Sequence, residues 1–183
     1  MLFDKNNRFN LANLITFGNI ASGVVAIHFI LNGEYLIAIV LAWIAGGLDI
    51  LDGKVARRFK LSTEFGVQLD SYADFISFVV MPSFLLYYAI TEGASDFTKI
   101  IVGVIFLIYI ISGLRRLIEF NIKVEVGEAE KYFTGVPTPL GAILLWLLYL
   151  TFSYNLIPNP YIISTLVLLI AWSLNSRIKI PHP

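Results

Sequence analysis

The sequence predicts an all-α integral membrane protein of six transmembrane helices with both termini on the cytoplasmic side. Three observations carry that expectation. Hydrophobic residues make up 57% of the chain, and the mean hydropathy of +0.78 lies far above ordinary soluble usage. Apolar stretches recur near residues 11–31, 35–51, 75–90, 100–114, 136–152 and 157–174. Several are shorter than the roughly 20 residues that cross a bilayer core, so their helices must borrow polar flanks. Finally, twelve of the thirteen Lys and Arg residues fall in alternate connections, leaving only Lys99 on the opposite face, and basic residues in short loops favour the cytoplasm.

The elements follow in chain order. Residues 1–10 are a cytoplasmic segment with Lys5 and Arg8, in which Leu2, Phe3 and Phe9 allow an interfacial amphipathic helix. Residues 11–175 form one six-helix membrane domain, with no repeat of 20 to 50 residues within it, and residues 176–183 form a cytoplasmic tail. The first apolar segment is long for a signal-peptide core and lacks a small-residue cleavage pattern, so it reads as a mature helix. Asn32-Gly33-Glu34, residues 91–97 and residues 155–160 read as short external turns. The basic, cytoplasmic connections carry Lys54, Arg57, Arg58 and Lys60, then Arg115, Arg116, Lys123 and Lys131, and Arg177 and Lys179 lie in the tail. A formal net charge of zero argues against nucleic acid, whose partners carry a basic stripe. The absence of Cys excludes disulfide and thiolate chemistry.

Against this apolar background stand four carboxylates, Asp49, Asp52, Asp70 and Asp74. Acids flanked by apolar stretches need a cation or a function. On a helix at about 100° per residue, Asp49, Asp52, Gly53, Ala56 and Arg57 form one stripe, and Arg58 points away. Gly66, Asp70 and Asp74 follow at i, i+4 and share another face. The turn between the two helices falls at residues 60–63, with Ser62 or Thr63 as N-cap and Glu64 suited to the first-turn dipole. An antiparallel hairpin folded there brings Asp49 level with Asp74 and Asp52 level with Asp70, roughly 13 to 19 Å from the turn. Helices that project past the membrane surface, or a cavity open to the cytoplasm, satisfy that depth. Gly53, Ala56 and Gly66 lack bulk, so a ligand or a backbone can approach. Unneutralised, the four carboxylates repel one another, and two divalent cations resolve this. Oxygen-only ligation selects hard ions such as Mg²⁺, Mn²⁺ or Ca²⁺. Paired ions about 3.5 to 4 Å apart are the usual clamp for displacement at phosphorus. Phosphoryl chemistry at a membrane is the reading these residues support.

The run Asp-x-x-Asp-Gly-x-x-Ala-Arg, eight residues, then Gly-x-x-x-Asp-x-x-x-Asp, from Asp49 to Asp74, resembles the signature of the CDP-alcohol phosphatidyltransferase family at every fixed position. The resemblance implies transfer of a phosphatidyl-type group from a CDP-activated lipid to a hydroxyl, with release of CMP, by a homodimer of six-helix protomers. It implies that Asp49, Asp52, Asp70 and Asp74 bind the metals, two Mg or Mn ions with Ca as a further option, and that Asp74 is the general base. It places Gly53, Ala56 and Arg57 at the nucleotide and diphosphate, and with them Gly66, Asn13 and Thr16 as CDP-lipid contacts. Asn13-x-x-Thr16-x-x-Asn19, the Arg116-Leu117-x-x-Phe120-Asn121 run and Tyr132-Phe133-x-Gly135-Val136-Pro137-Thr138-Pro139 are similar to the phosphatidylserine synthases of this family. That subgroup implies L-serine as acceptor, held by Arg115 or Arg116 with Asn121, and CDP-diacylglycerol or CDP-archaeol as donor. Glu119 stands where the subgroup carries a basic residue. The implied location is a cell membrane, with the active site facing the cytoplasm.

Competing readings are visible in the same residues. Inositol phosphate or glycerol phosphate acceptors carry an extra phosphate and demand a denser basic pocket than Arg115, Arg116 and Lys131 supply. A cation transporter predicts repeat symmetry or acids spread through the membrane depth, and this chain shows neither. His28 has no companion at ligand spacing, and the aromatic residues near span ends read as an interfacial belt.

Overall fold

The computed structural model describes residues 2–125, 132–176 and 179–181; Lys131 and Arg177 therefore lie outside the described residues. The chain divides into two compact units, Met1–Ser77 and Phe78–Pro183.

The first unit holds α1 (Leu11–Leu31), α2 (Tyr35–Arg58) and α3 (Glu64–Asp74). The side chain of Asn10 caps α1, accepting from the Asn13 N–H at 3.0 Å. Helix α1 buries a stripe of small and polar residues that includes Asn13, Thr16, Asn19, Gly23 and Ala26, while Val24, Val25, Leu36, Val40 and Trp43 are exposed on α1 and α2. This inversion suits a lipid surround, where lipid tails offer no hydrophobic drive and helices associate through small residues and hydrogen bonds. Gly33, at φ +76, turns α1 into α2.

The α2–α3 connection falls where the sequence places it. Lys60 takes a left-handed φ of +55; its N–H donates to the Arg57 carbonyl at 3.4 Å, and that of Leu61 to the Ala56 carbonyl at 2.9 Å. This is a Schellman stop, and Leu61, only 1% exposed, plugs it. Thr63 is the N-cap of α3, accepting from the Gly66 N–H at 3.0 Å. Immediately after Asp74 the helix opens into a π-helical turn, Phe75–Val80, before α4 (Met81–Thr91).

Two expectations are corrected. Residues 2–10 form turns, not an interfacial helix. Asp4 and Asn7 accept from the backbone N–H groups of Asn6 and Phe9, each at 3.0 Å, and such local bonds compete with a helical ladder. The segment is closed by the Leu11 N–H donating to the Leu2 carbonyl at 2.8 Å. The all-helical expectation also misses one antiparallel pair in the second unit, β1 (Tyr132–Thr134) with β2 (Lys179–Pro181), in register Tyr132↔Pro181.

The rest of the second unit is α5 (Asp96–Glu125), α6 (Thr138–Ser153) and α7 (Pro160–Leu174), with α4. Helix α5 packs on α7 and α4, and α6 packs on α4 and α7. Gly135, at φ +82, lets the chain pass so close to the end of α7 that a Cβ there would lie 2.6 Å from the Leu174 carbonyl oxygen. Among the described residues, four helical runs are long and apolar enough to cross a membrane: Leu11–Leu31, Tyr35–Arg58, Glu64–Thr91 and Asp96–Ile122. Helices α6 and α7 are apolar but have 16 and 15 residues, a rise of about 23 to 24 Å against a hydrocarbon core of roughly 30 Å.

Candidate metal and substrate site

Helix α2 supplies Asp49, Asp52, Gly53, Ala56 and Arg57, and α3 supplies Gly66, Asp70 and Asp74. The two helices meet across the Schellman turn, so acids about equally far from it come together. Asp49, Asp70 and Asp74 each offer a carboxylate oxygen, and these oxygens lie within 4.8 Å of one another. All three residues are half-buried. Asp52 stands outside this trio. It is 4% exposed, and its Oδ2 accepts the Thr16 hydroxyl at 2.7 Å, which draws it toward α1.

On the side nearer the turn, α1, α2 and α3 line an open cavity of about 200 Å³. Its walls include the anticipated Asn13, Thr16, Asp52 and Asp70, and also Gly53, Ala56, Arg57 and Gly66. The small residues have separate uses. A Cβ on Gly53 would lie 3.4 Å from Arg57 Nη1, so the guanidinium folds back over that glycine. A Cβ on Gly66 would lie 3.0 Å from Asn13 Oδ1, so α1 and α3 approach closely there. Asn13 is itself fixed, donating from Nδ2 to the Arg8 carbonyl at 3.0 Å. Arg58 does not line the cavity.

The trio suits a cation. Its donors are oxygen only, as hard divalent ions require, and Asp74 Oδ1 is shut off from solvent with no hydrogen-bond partner among the described residues. A buried acceptor left in this state is costly unless something else satisfies it, and a metal ion does so.

Three anticipated acceptor residues, Arg115, Arg116 and Asn121, lie on α5 in the second unit. Arg115 Nε donates to Glu119 Oε1 at 2.8 Å in an exposed pair. Arg116 is 6% exposed, and its Nε reaches the Val136 carbonyl at 3.4 Å. The Tyr132 to Pro139 run thus includes a backbone acceptor for Arg116 and the close turn at Gly135.

A family model described as CDP-alcohol phosphatidyltransferase matches residues 9–175. The chain belongs to the CDP-alcohol phosphatidyltransferase family. Among its relatives is a CDP-diacylglycerol--serine O-phosphatidyltransferase of Bacillus subtilis, 33% identical over 172 residues, 92% of this chain and 88% of that one. The enzyme of the same name from Helicobacter pylori is 33% identical over 140 residues, 76% of this chain but only 57% of its own length. An archaetidylserine synthase of Methanothermobacter thermautotrophicus is 36% identical over 164 residues, 88% of this chain and 67% of that one. As a CDP-alcohol phosphatidyltransferase with four long apolar helices, the protein is an integral membrane protein, and its acid trio is a group that can hold a metal ion.

Sequence reasoning passed over Ser77, which is 2% exposed and bonded to Asn19. The only signal was a serine inside an apolar run just past the last acid.

Proposed function

We propose that this protein transfers a phosphatidyl or archaetidyl group from a CDP-activated lipid to the hydroxyl of L-serine, releasing CMP. The observation that carries the chemistry is the meeting of Asp49, Asp70 and Asp74 oxygens within 4.8 Å, beside a cavity that Arg57 lines. The serine acceptor is supported by relatives whose names specify it.

In this reading the carboxylates of Asp49, Asp52, Asp70 and Asp74 hold two divalent cations, Mg or Mn. When bound, the ions neutralise and orient the diphosphate of the donor. Arg57 offers its planar fork to a phosphate oxygen, with Gly53, Ala56 and Gly66 leaving room, and Asn13 and Thr16 completing the donor site. Asp74 accepts the proton of the serine hydroxyl as that oxygen attacks the β-phosphorus. The bond from this phosphorus to the bridging oxygen breaks, and CMP leaves with that oxygen. Arg116 and Asn121 hold the serine, and the buried position of Arg116 favours it over Arg115 for the carboxylate. Six spans, cytoplasmic termini, an active site open to the cytoplasm and a homodimer complete the proposal.

An acceptor screen tests it. Purified protein with Mg²⁺ or Mn²⁺ and CDP-diacylglycerol or CDP-archaeol is expected to release CMP with serine, and not with inositol phosphate, glycerol phosphate or no acceptor. Release that serine fails to stimulate would refute the acceptor, and no metal-dependent release with any acceptor would refute the chemistry.

A further inference from the structure

We propose that Asn19 and Ser77, seated against Gly23, are positioning residues that lock the π-helical turn beside Asp74 and so hold its carboxyl in the cluster with Asp49 and Asp70. The inference rests on the functional reading above and adds residues outside the eight-position motif.

The π-helical turn begins at the residue after Asp74. Such turns are rare, occur as single insertions within α-helices and gather at functional sites. A turn of this kind needs partners that hold its geometry. Here the partners are a hydrogen bond and a notch. Ser77 Oγ donates to Asn19 Oδ1 at 2.6 Å, and both residues are buried. One turn further along α1, a Cβ on Gly23 would lie 2.8 Å from Ser77 Oγ and 2.9 Å from Ile76 Cγ2. The backbone of α1 therefore runs directly against the π turn, and no side chain larger than hydrogen fits between them.

Thr16, Asn19 and Gly23 follow one another at helical spacing and share a face of α1. The first of them grips Asp52 on α2, and the other two grip the turn that follows Asp74. One face of α1 thus sets both acid-bearing segments in register. Were the π turn to relax to α geometry, about 100° of rotation, one residue's worth, would be taken up across Phe75–Val80, part of it between Asp74 and Ser77. Asp74 would then turn away from Asp49 and Asp70.

The test uses the full-length protein in detergent with two readouts: Mn²⁺ binding followed by electron paramagnetic resonance without substrates, and CMP release from CDP-lipid and serine. Ser77→Ala and Asn19→Ser break the bond from opposite ends, and Gly23→Ala crowds the notch. Each is expected to weaken Mn²⁺ binding and to lower kcat by about tenfold or more, as losing support behind a metal ligand does, with KM for CDP-lipid changed less than about twofold. Ser164→Ala is the control, since its buried hydroxyl donates along its own helix, α7, to the Pro160 carbonyl at 2.6 Å; both readouts should stay at parental values. Parental Mn²⁺ affinity and kcat in any lock variant that elutes as folded protein overturns the lock, as does an equal loss in Ser164→Ala. Asp74→Asn, run in parallel, keeps the two ideas apart. Normal CMP release by that variant overturns the functional reading, whereas inactive Asp74→Asn beside fully active lock variants overturns the lock alone.

Discussion

The Thr16 hydroxyl donates to Asp52 Oδ2 at 2.7 Å, with both residues 4% exposed. The same hydroxyl lies 3.1 Å from the Ala12 carbonyl, but it has one proton, and the shorter, charge-assisted bond is the stronger. Thr16→Val keeps the shape and removes the donor, leaving a buried carboxylate short of one bond. Hydrogen bonds to charged groups contribute about 1.5–3 kcal/mol, so kcat/KM for CDP-lipid should fall roughly 10- to 100-fold, and Thr16→Ser should recover most of it. Kinetics of Thr16→Val that match the parent would remove any functional weight from this bond.

Arg57 and Arg58 are adjacent in sequence and about 100° apart around α2. Arg57 lies over Gly53 at the cavity, and Arg58 is outside it. Arg57→Ala should lower kcat/KM for CDP-lipid by about tenfold or more, with Arg57→Lys recovering only part because it lacks the planar fork. Arg58→Ala should stay within about twofold, as surface substitutions usually do. The reverse order in a steady-state comparison would show that the diphosphate binds elsewhere.

The acid hairpin was legible because two independent codes agree on it. The i, i+3 and i+4 spacing of Asp49, Asp52, Gly53 and Ala56 sets one face, and the turn residues Lys60, Ser62 and Thr63 set the fold-back point. The departures arise where tertiary contacts decide. The bond between Asp52 and Thr16, 36 residues earlier, is set by such a contact. The π turn at Phe75–Val80 leaves no periodic trace in a run that is apolar apart from Ser77. The strand pair joins segments more than forty residues apart, and three-residue strands lie below what alternation can reveal. The turns at residues 2–10 were hidden because Leu2, Phe3 and Phe9 suggest an amphipathic face, whereas Asp4 and Asn7 bond locally instead.

Lys60 occupies a position that ordinarily suits glycine. Its φ of +55 ends α2 without the residue that most easily adopts the left-handed region. An L side chain there costs about 1–2 kcal/mol, and glycine returns about 0.4–1 kcal/mol of that through a freer unfolded chain. Lys60→Gly should therefore raise the thermal midpoint in detergent slightly, by the equivalent of about 0.5–1 kcal/mol, with CMP release unchanged. A lowered midpoint would mean that the lysine side chain makes a contact outweighing the backbone strain.

Arg115 and Arg116 make a second adjacent pair with opposite fates. Glu119 engages Arg115 in an exposed i, i+4 ion pair, of a type that contributes at most about 1 kcal/mol, so Arg115→Ala and Glu119→Gln should each change the KM for serine by less than about threefold. Arg116 is buried against the Val136 carbonyl, and a guanidinium is kept out of water only where partners hold it. If it receives the serine carboxylate, Arg116→Ala should raise the KM for serine by about tenfold or more while altering that for CDP-lipid far less. Measured KM values that rise equally for both substrates would assign Arg116 to the packing of α5 against the Gly135–Val136 turn, and the acceptor carboxylate would need a different cation.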